Sequence, residues 1–393
     1  MERFRQPLRD PAFIQDPNPA YHAARTRGPV LFWEDMGMAA AFDAATVGAL
    51  LRDRRLGRER RGARAITYPP EMSDWALAET HSLLDMEPPR HTRLRGLVLR
   101  AFTSRRIKTL APDIHAVCAD LLAANPDGPF DLIPAYCTQV PVRIIARLLG
   151  VPEALSDDLL RWSSAMVAMY QAGRDATVEA NANRAAAEFI AFLRSYVDKR
   201  RSDPRDDLIT ELIAAEEDGE KLTPDELIGT CILLLNAGHE ATVHSLGNGV
   251  KTLLENQTPQ AALGPDKIEG TVEEILRFDA PLHVFTRFAY ETIEIGPHTL
   301  TEGDEIALVL GAANRDPAVW PDPDHFDPDR PLRANTSFGA GPHFCVGAPL
   351  ARLELQIALP ALFERFATLT LTETPRYADS YHFHKLDRLM VTA

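Results

Sequence analysis

A single cysteine towards the carboxyl end of the sequence lies among residue types that suit a metal-bound thiolate. Residues 338–347 read FGAGPHFCVG, and the next residues, APLARLE, have the pattern of a helix start. Glycines such as Gly339 and Gly347 let the backbone fold close around the Cys345 sulfur and direct amide N–H groups at it. A helix that begins directly after the loop brings its positive dipole end near the sulfur, which lowers a thiol pKa. The spacing therefore predicts that Cys345 is ionised and binds a metal ion.

The other three cysteines do not share this setting. Cys118, Cys137 and Cys231 are far apart in the sequence and form no CxxC pair. A lone cysteine is most often a small buried hydrophobic residue, and we expect that of all three. The pattern predicts neither a disulfide framework nor a zinc site, and it favours a reducing cytosol.

Composition narrows the class of protein. The 393 residues are 45% hydrophobic and 25% charged, and the net charge is −14. An acidic chain is a poor general binder of nucleic acid, since phosphate contacts need lysine and arginine. We find no run of about eighteen apolar residues and no apolar leader segment in residues 1–28. We therefore expect a cytoplasmic protein that works in solution and binds neither nucleic acid nor a membrane.

The elements that would position these residues are mostly helical. Strand signals lie near both ends of the sequence, at 29–33 and 38–42, which read as a hairpin, and at 284–289, 292–295 and 305–310. Helical periodicity is clear at 107–124, 139–149 and 179–201. The sequence predicts a mainly α fold with small β-sheets.

One domain is expected over residues 1–393. Its β-rich part would lie near 29–43 and 284–310, and its helical part at about 90–280 and 349–366. No internal repeat, low-complexity tract or long Gly/Ser linker divides the chain, which favours a single unit.

The best-marked helix begins at a capping box. Thr223-Pro-Asp-Glu226 combines a side-chain cap with proline at the first helical position. The helix is predicted to run to about Asn256, a length of roughly 50 Å. Residues 231–237 are nearly all apolar, as a buried helix requires.

The cysteine segment resembles the haem-binding signature of the cytochrome P450 family. Its match to FGxGxHxCxG includes Phe338, Gly339, His343 and Gly347, and the APLARLE stretch is similar to soluble bacterial members. The resemblance implies a cytochrome P450 fold in which the long helix and the cysteine loop enclose haem b. It also implies that Cys345 is the axial ligand of the haem iron, whose thiolate favours O–O cleavage.

The resemblance assigns further residues to a structural network behind the cysteine loop. Glu274 and Arg277 stand at the family's ExxR spacing, and Arg330 matches an arginine that joins them. An i,i+3 pair taken alone is more often a solvated surface pair.

Four basic residues match family positions that bind the haem propionates, which need cationic or hydrogen-bonding partners. They are His91, Arg95, Arg287 and His343. Taken singly, each reads as a solvated basic residue, and we expect only that of Arg93, Arg100 and Arg105.

The predicted distal helix departs from the family pattern at one position. Gly238 matches a glycine that accompanies a local bulge, and Glu240 matches the acid that brings protons to bound oxygen. Ala241 stands where the pattern has threonine, and Thr242 lies about 100° further round the helix, so it cannot simply substitute. We hypothesise that ordered water or a substrate hydroxyl replaces the missing side chain.

The family plan implies a substrate pocket of mostly apolar residues, although each of them reads at least as well as core. The candidates are Trp75, Met169, Leu234, Ala237, Val284, Phe285 and Phe383. They favour an apolar substrate of small to medium size. We expect His283, His382 and His384 to be surface or internally satisfied histidines.

Electrons are expected from a ferredoxin and its ferredoxin reductase, because no flavin or ferredoxin domain accompanies the signature. The basic stretch 90–108 and Arg352 are the predicted docking residues, and the arginine run from Arg52 to Arg64 reads equally well as a solvated loop.

The sequence therefore predicts a haem-thiolate monooxygenase that uses dioxygen. Alternatives are peroxide-driven oxidation, oxidative coupling or rearrangement at the same site, a haem-based gas sensor, and a helical interaction protein without a cofactor.

Overall fold

The computed structural model describes residues 1–62, 65–124, 128–171, 174–217, 220–380 and 383–392. Arg64 and His382, named above, lie outside these residues.

Helices make up most of the described chain. In chain order they are α1 (Pro11–Gln15), α2 (Asn18–Arg27), α3 (Ala44–Leu50), α4 (Ser73–Thr80), α5 (Arg90–Ala101), α6 (Ser104–Thr109), α7 (Ala111–Ala124), α8 (Gln139–Leu149), α9 (Ser156–Val167), α10 (Ala176–Ser202), α11 (Leu208–Ala214), α12 (Pro224–Glu255), α13 (Ile268–Phe278), α14 (Leu310–Ala313) and α15 (Ala348–Arg365). The predicted fold class, mainly α with small sheets, is confirmed.

The long helix α12 begins at the predicted capping box and ends at Glu255, one residue before the predicted end. The Thr223 side chain accepts from the Glu226 amide at 3.2 Å, and the Thr223 amide donates to the Glu226 carboxylate at 2.9 Å. The helix spans 32 residues and packs against α4, α8, α9, α13 and α15. Burial on several sides explains its apolar middle.

One predicted helix is wrong, because the single helix expected over 107–124 is two helices. α6 ends at Thr109, Leu110 lies between them, and α7 begins at Ala111. Pro112 has no amide hydrogen to donate to the Lys108 carbonyl, and its ring would clash with that carbonyl in a continuous helix. The proline therefore breaks the chain into two segments.

The strands form small sheets. The largest has the order β1-β2-β3-β11-β8-β4, and its strands are β1 (Arg3–Phe4), β2 (Val30–Trp33), β3 (Met38–Ala41), β4 (Leu56–Gly57), β8 (Val284–Ala289) and β11 (Glu305–Val309). The smaller sheets contain β5 (Phe130–Asp131), β6 (Glu216–Glu217), β7 (Glu220–Lys221), β9 (Ile293–Ile295), β10 (His298–Leu300), β12 (Thr370–Leu371), β13 (Arg376–Tyr377), β14 (Leu386–Arg388) and β15 (Met390–Thr392).

The predicted hairpin is confirmed. β2 and β3 pair antiparallel, with Val30 opposite Ala41 and Trp33 opposite Met38. β11 continues the sheet by pairing parallel with β3 and antiparallel with β8. The sheet therefore joins the start of the chain to the strand that carries Arg287.

A three-stranded sheet joins the middle of the chain to residues near 390. β15 pairs with both β12 and β5. Two further bonds extend the contact, because the Leu132 amide donates to the Leu389 carbonyl at 2.9 Å and the Leu389 amide donates to Asp131 at 3.0 Å.

The main hydrophobic core lies among the helices, and two smaller cores flank the large sheet. Cys118, Cys137 and Cys231 are free and buried, as predicted. Among the described residues no helix is both long and apolar enough to span a membrane. That residues 1–393 form one domain stays a prediction.

Candidate active site

The cysteine loop is shaped by two glycines in the left-handed region. Gly339 has φ 67° and Gly341 has φ 72°. A side chain at Gly341 would place its Cβ 2.5 Å from the Leu51 carbonyl oxygen, and one at Gly339 would lie 3.0 Å from the Phe285 ring. Glycine is therefore required at both positions by conformation and by space.

The Cys345 side chain is accessible even though the loop surrounds it on most sides. The Cys345 amide donates to the Phe338 carbonyl at 3.1 Å, which closes the loop. Directly after Gly347, the helix α15 begins at Ala348.

The predicted lowering of the Cys345 pKa by the helix start is present but is outweighed in the protein alone. Burial raises the pKa of this thiol, and the amides of Gly347 and Ala348 and the charges of Arg95 and Arg352 oppose the rise without cancelling it. Because a coordinated metal ion deprotonates a thiol outright, the same amides and arginines would stabilise a metal-bound thiolate.

The four residues predicted to hold propionates lie around the loop. Nη2 of Arg95 donates to the Phe344 carbonyl at 2.6 Å. The His91 and His343 rings are 4.4 Å apart between centroids. Burial lowers the pKa of His91 to about 4, so this imidazole is neutral at pH 7.

Arg287 is the most deeply buried of the four, at 2% exposure. Among the described residues its guanidinium makes one hydrogen bond, Nη1 to the neighbouring Thr286 carbonyl at 2.8 Å. Burial lowers its pKa to about 10, and the charge of Arg58 adds to this effect. A buried cation with so few partners is suited to receiving an anionic group.

Two residues of this cluster were missed by sequence reasoning. Oε1 of Glu87 lies 2.9 Å from Nε2 of His343 and accepts from the Arg58 amide at 2.7 Å. Burial alone would raise the pKa of Glu87, but these bonds outweigh it and the pKa is lowered. The Arg58 side chain approaches Asp85 at 3.2 Å and the Phe285 ring at 5.6 Å. Arg58 is therefore not part of a solvated loop.

The three charged residues predicted to form a network behind the cysteine loop are in contact with one another through Glu274. Glu274 and Arg277 are 3% and 1% exposed. Nε of Arg330 donates to Oε1 of Glu274 at 3.2 Å, and Arg277 also donates to the Asn314 and Pro323 carbonyls at 2.9 Å each. Buried charges of this kind are tolerated only when every donor and acceptor is paired, as here.

The middle of α12 is accessible along one face. Ala237 is exposed, while Leu234, Glu240 and Ala241 are half-buried. These positions lie on one side of the helix by spacing. Thr242 lies on the buried side, where its hydroxyl donates to the Gly238 carbonyl at 3.4 Å. Ala237 and Ala241 therefore place two small side chains on the accessible face, where a flat cofactor or a substrate could approach closely.

The expected bulge at Gly238 is not observed, because α12 runs through this position as an unbroken α-helix. The glycine has another use. A Cβ at Gly238 would lie 3.2 Å from Cδ1 of Ile145 on α8, which is tighter than an ordinary contact. Its lack of a side chain lets α8 pack closely against α12.

Glu240 lies between two histidines of its own helix. Its Oε2 is 3.2 Å from Nε2 of His244, and its Oε1 is 3.9 Å from Nε2 of His239. Burial would raise the pKa of Glu240, but His244, His239 and Lys385 outweigh it and lower the pKa to about 2. Burial lowers the pKa of His244 below its usual value. Glu240 is thus ionised and His244 neutral at pH 7.

The predicted pocket residues are spread over several elements. Trp75 lies on α4, Met169 in the turn Ala168–Tyr170, and Phe383 beside the His244 ring at 5.2 Å between centroids. All three are buried, and Leu234 packs against the same helical core. Val284 packs against the small aromatic core behind the sheet.

His283 is internally bonded, as one of the two expectations had it, whereas His384 is bonded through Nδ1 while its buried Nε2 has no hydrogen-bond partner among the described residues. The Tyr21 hydroxyl lies 3.2 Å from Nδ1 of His283, and Nδ1 of His384 lies 3.1 Å from Asp279. Tyr377 donates a short hydrogen bond to the same Asp279 carboxylate.

A cavity of about 220 Å³ lies beside the cationic cluster. Its walls include Arg58, Tyr68, Glu79 and Thr286. The Tyr170 hydroxyl donates to Glu79 at 2.7 Å. Burial raises the pKa of Glu79 to about 7, so this carboxyl changes charge near neutral pH.

The basic residues outside the cluster divide into paired and exposed ones. Arg93 is not merely solvated, because it forms a short ion pair with Glu226, the capping glutamate of α12. Arg352 pairs with Glu273 and lies 4.6 Å from the Phe338 ring centroid. Arg105 and Lys108 are exposed on α6.

The residues at this site fit a haem. Within the described ranges no group of three or more His, Cys, Asp and Glu side chains could hold a metal ion. A metal at Cys345 would therefore take its other ligands from a cofactor, as haem iron does from porphyrin. The buried, poorly paired guanidinium of Arg287 and the nearby Arg95 suit the two carboxylates that haem carries.

Comparison with known proteins gives consistent matches. The model of the cytochrome P450 family matches residues 268–382. A protein of Pseudonocardia autotrophica named vitamin D(3) 25-hydroxylase is 38% identical over 391 residues, which cover 97% of this chain and 94% of the relative. The cytochrome P450 monooxygenase PikC of Streptomyces venezuelae is 37% identical over 375 residues, which cover 92% and 87%. The structure of P450BioI, solved in complex with acyl carrier protein, has a TM-score of 0.90 and 32% identity and covers 97% of this chain and 99% of that one.

Proposed function

The chain belongs to the cytochrome P450 family and is a haem b-dependent monooxygenase, and on that premise we propose that it oxidises an apolar organic substrate of small to medium size with electrons from a ferredoxin. The supporting observation is the accessible Cys345 thiol, which lies in a loop bordered by Arg95, His343 and the buried Arg287.

Cys345 is the proposed axial ligand. When bound, haem supplies the iron at which dioxygen is reduced and activated. The amides of Gly347 and Ala348 and the charges of Arg95 and Arg352 stabilise negative charge on the sulfur. Arg95, Arg287, His91 and His343 would hold the propionates, and Phe338, Gly339 and Gly347 would shape the loop against the cofactor.

The accessible face of α12 is the proposed oxygen side. Ala237 and Ala241 leave space there, and Glu240 is the group on this face that can accept and release a proton. Gly238 and Thr242 contribute structure, since Gly238 permits packing on Ile145 and Thr242 bonds to the helix backbone.

The substrate is proposed to lie between this face, which carries Leu234, and the apolar side chains of Trp75, Met169, Phe285 and Phe383. The named activity of a relative, vitamin D(3) 25-hydroxylation, supports an apolar substrate. A spectral binding screen tests this, because a compound that displaces the distal water shifts the haem band. Apolar compounds are expected to give the shift, and a response restricted to charged compounds would contradict the proposal.

The experiment that tests the axial ligand is Cys345→Ser. The reduced, carbon-monoxide-bound pigment should lose its thiolate spectrum, while Cys118→Ala, which removes a buried cysteine on α7, should keep it. An unchanged spectrum in Cys345→Ser would overturn the proposal.

A second activity is supported by one observation: Ala241 occupies the position at which the family pattern has a threonine and its hydroxyl. Peroxide-driven oxidation or oxidative coupling at the same site would not need the same proton delivery from solvent. Turnover with hydrogen peroxide that exceeds turnover with a ferredoxin system would favour this alternative.

A further inference from the structure

We propose that His244 is a positioning and proton-supplying residue, which reprotonates Glu240 during turnover and so takes part of the role of the hydroxyl missing at position 241. This inference rests on the proposed function, because it concerns proton supply to the same site. It is carried by the contact between His244 and Glu240, not by the family pattern.

Glu240 needs a proton source in direct contact. Its carboxylate lies on the accessible face of α12 and is ionised at rest, so each proton that it gives up must first be supplied. Nε2 of His244 lies 3.2 Å from Oε2 of Glu240, one helical turn away. The ring N–H is not aligned with the carboxylate, since Nε2 of His244 has no hydrogen-bond partner among the described residues. Proton transfer therefore requires the His244 ring to turn towards Oε2 of Glu240, which is already within reach.

His239 is adjacent to Glu240 in the sequence but has the wrong geometry. Its Nδ1 lies 2.9 Å from the Leu235 carbonyl oxygen. A carbonyl can only accept, so the ring proton of neutral His239 must be on Nδ1. Its Nε2 then has no proton to give and stands 3.9 Å from Glu240. Of the two histidines, only His244 can donate to the carboxylate in its neutral form.

The charged groups around the pair keep Glu240 ionised at rest, so a proton from His244 resides on the carboxylate only transiently. Burial lowers the pKa of His244, Glu240 raises it, and Lys385 and His239 lower it. Lys385 is half-buried on the chain segment that carries Phe383, whose ring contacts His244. A neutral imidazole beside a carboxylate takes up a proton at Nδ1 and releases the proton of Nε2 to Oε2 of Glu240, so charge and atoms balance.

The tautomer of His244 tests the proposal in the unaltered protein, without any substitution. In holoenzyme with ¹⁵N-labelled histidine, reduced and bound to carbon monoxide so that it is diamagnetic, nitrogen shifts report which ring atom carries the proton. We expect the proton on Nε2 of His244 and on Nδ1 of His239 at pH 7. A His244 ring with its proton on Nδ1 alone would overturn the inference.

Glu240→Gln provides the second measurement. Because the Glu240 charge favours the protonated ring, its removal should lower the pKa of His244 by about one pH unit. An unchanged pKa of His244 in this variant would contradict an electrostatic interaction between its ring and the Glu240 carboxylate. The His239 ring, whose Nε2 is further away, should respond less.

Turnover measurements distinguish a proton-donating role of His244 from a purely structural one. NADPH consumption in air with a ferredoxin and its reductase, measured without organic substrate, needs no knowledge of the natural substrate. We expect His244→Asn to slow it about tenfold and to raise its solvent deuterium isotope effect, while the matched variant His239→Asn stays within about twofold. Equal slowing in both variants would overturn the inference. Failure of the proposed function would appear elsewhere, as loss of the thiolate spectrum in the unaltered protein.

Discussion

Arg277 and Glu274, three residues apart on α13, are joined by two parallel hydrogen bonds of 2.7 Å, from Nε to Oε2 and from Nη2 to Oε1. The carboxylate also accepts from the Asp327 amide at 3.0 Å. The pair therefore ties α13 to the segment that leads into the cysteine loop.

Breaking this pair should be strongly destabilising. Arg277→Leu leaves the Glu274 carboxylate buried with one fewer cation, and removal of one partner of such a pair costs about 3–5 kcal/mol. We expect loss of haem incorporation as well as a lower free energy of unfolding, measured by denaturant titration. The exposed pair Arg3–Glu34 serves as the control, since Arg3→Leu should cost less than about 1 kcal/mol.

Arg287→Leu should have opposite effects on the protein with and without haem. In the haem-free protein the variant removes a buried cation that makes one hydrogen bond among the described residues, so thermal stability should rise. In the holoenzyme it removes a propionate partner, so transfer of haem to an acceptor globin should become about tenfold faster or more. Arg60→Leu, which alters an exposed arginine over Phe288, should change neither. Slower haem transfer from Arg287→Leu would refute the assignment.

Glu79 should make stability depend on pH in the neutral range. Its pKa in the folded protein is about 7, above the usual 4.5. Above pH 4.5 the unfolded chain therefore binds fewer protons at this position, and stability falls as pH rises from 4.5 to 7. Glu79→Gln should raise stability at about pH 8 by on the order of 1–2 kcal/mol, a figure reduced because the cavity admits solvent.

The same substitution should have a much smaller effect near pH 4.5, where the carboxyl is protonated in the folded protein and half protonated in the unfolded chain. Thermal melts at the two pH values check this. Glutamine keeps an oxygen that can accept from Tyr170, so the comparison isolates the charge. A gain that is equal at both pH values would show that the charge is not its cause.

Docking of a ferredoxin should depend on salt. α6 packs against α15, which begins just after the cysteine loop, and Arg105 and Lys108 are exposed on it. We expect Arg105→Glu to raise the KM for an acidic ferredoxin about tenfold at low ionic strength and much less at high ionic strength. Arg201→Glu, at an exposed position on α10, is the control. A reduction rate that does not respond to salt would argue against an electrostatic contact.

Ala241→Thr should change little. The neighbouring hydroxyl of Ser245 already donates to the Ala241 carbonyl at 2.9 Å, and we assign proton supply to His244 and to water or a substrate hydroxyl. With the compound that shifts the haem band most, product formed per NADPH should stay within about twofold of the unaltered enzyme. A tenfold rise in that ratio would show that the missing threonine limits the coupling of NADPH consumption to product formation, by about 1.4 kcal/mol in the difference between the two competing barriers.

Sequence features that act over a few residues, such as helix caps, the spacing of charged residues and prolines, allowed the local structure to be predicted. The capping box at Thr223 sets the start of α12, and the spacing of Glu274 and Arg277 identifies the buried pair. The break before Pro112 was visible in the sequence too, because a proline in a helix interior forbids one hydrogen bond. The contact of Glu240 with His244 is an i,i+4 pair and could also have been predicted.

Contacts between distant segments could not be predicted in this way. Arg58 and Glu87 belong to no motif, and they meet only because β4 pairs with β8 and brings residue 58 beside the loop before α5. The net direction of the Cys345 pKa in the protein alone could not be predicted for a similar reason. Its sign depends on how much protein surrounds the sulfur, which spacing alone does not reveal.

The pairing of β15 with β5 constrains the order in which the protein can fold during its synthesis. Phe130 and Asp131 find their sheet partners only at Val391 and Met390, so this edge stays unpaired while some 250 further residues are translated. Nearly the whole chain must therefore leave the ribosome before this sheet can form. Slower translation after residue 131 should therefore lengthen the time for which β5 is unpaired and accessible to chaperones and proteases. It should not speed up the pairing of β5 with β15.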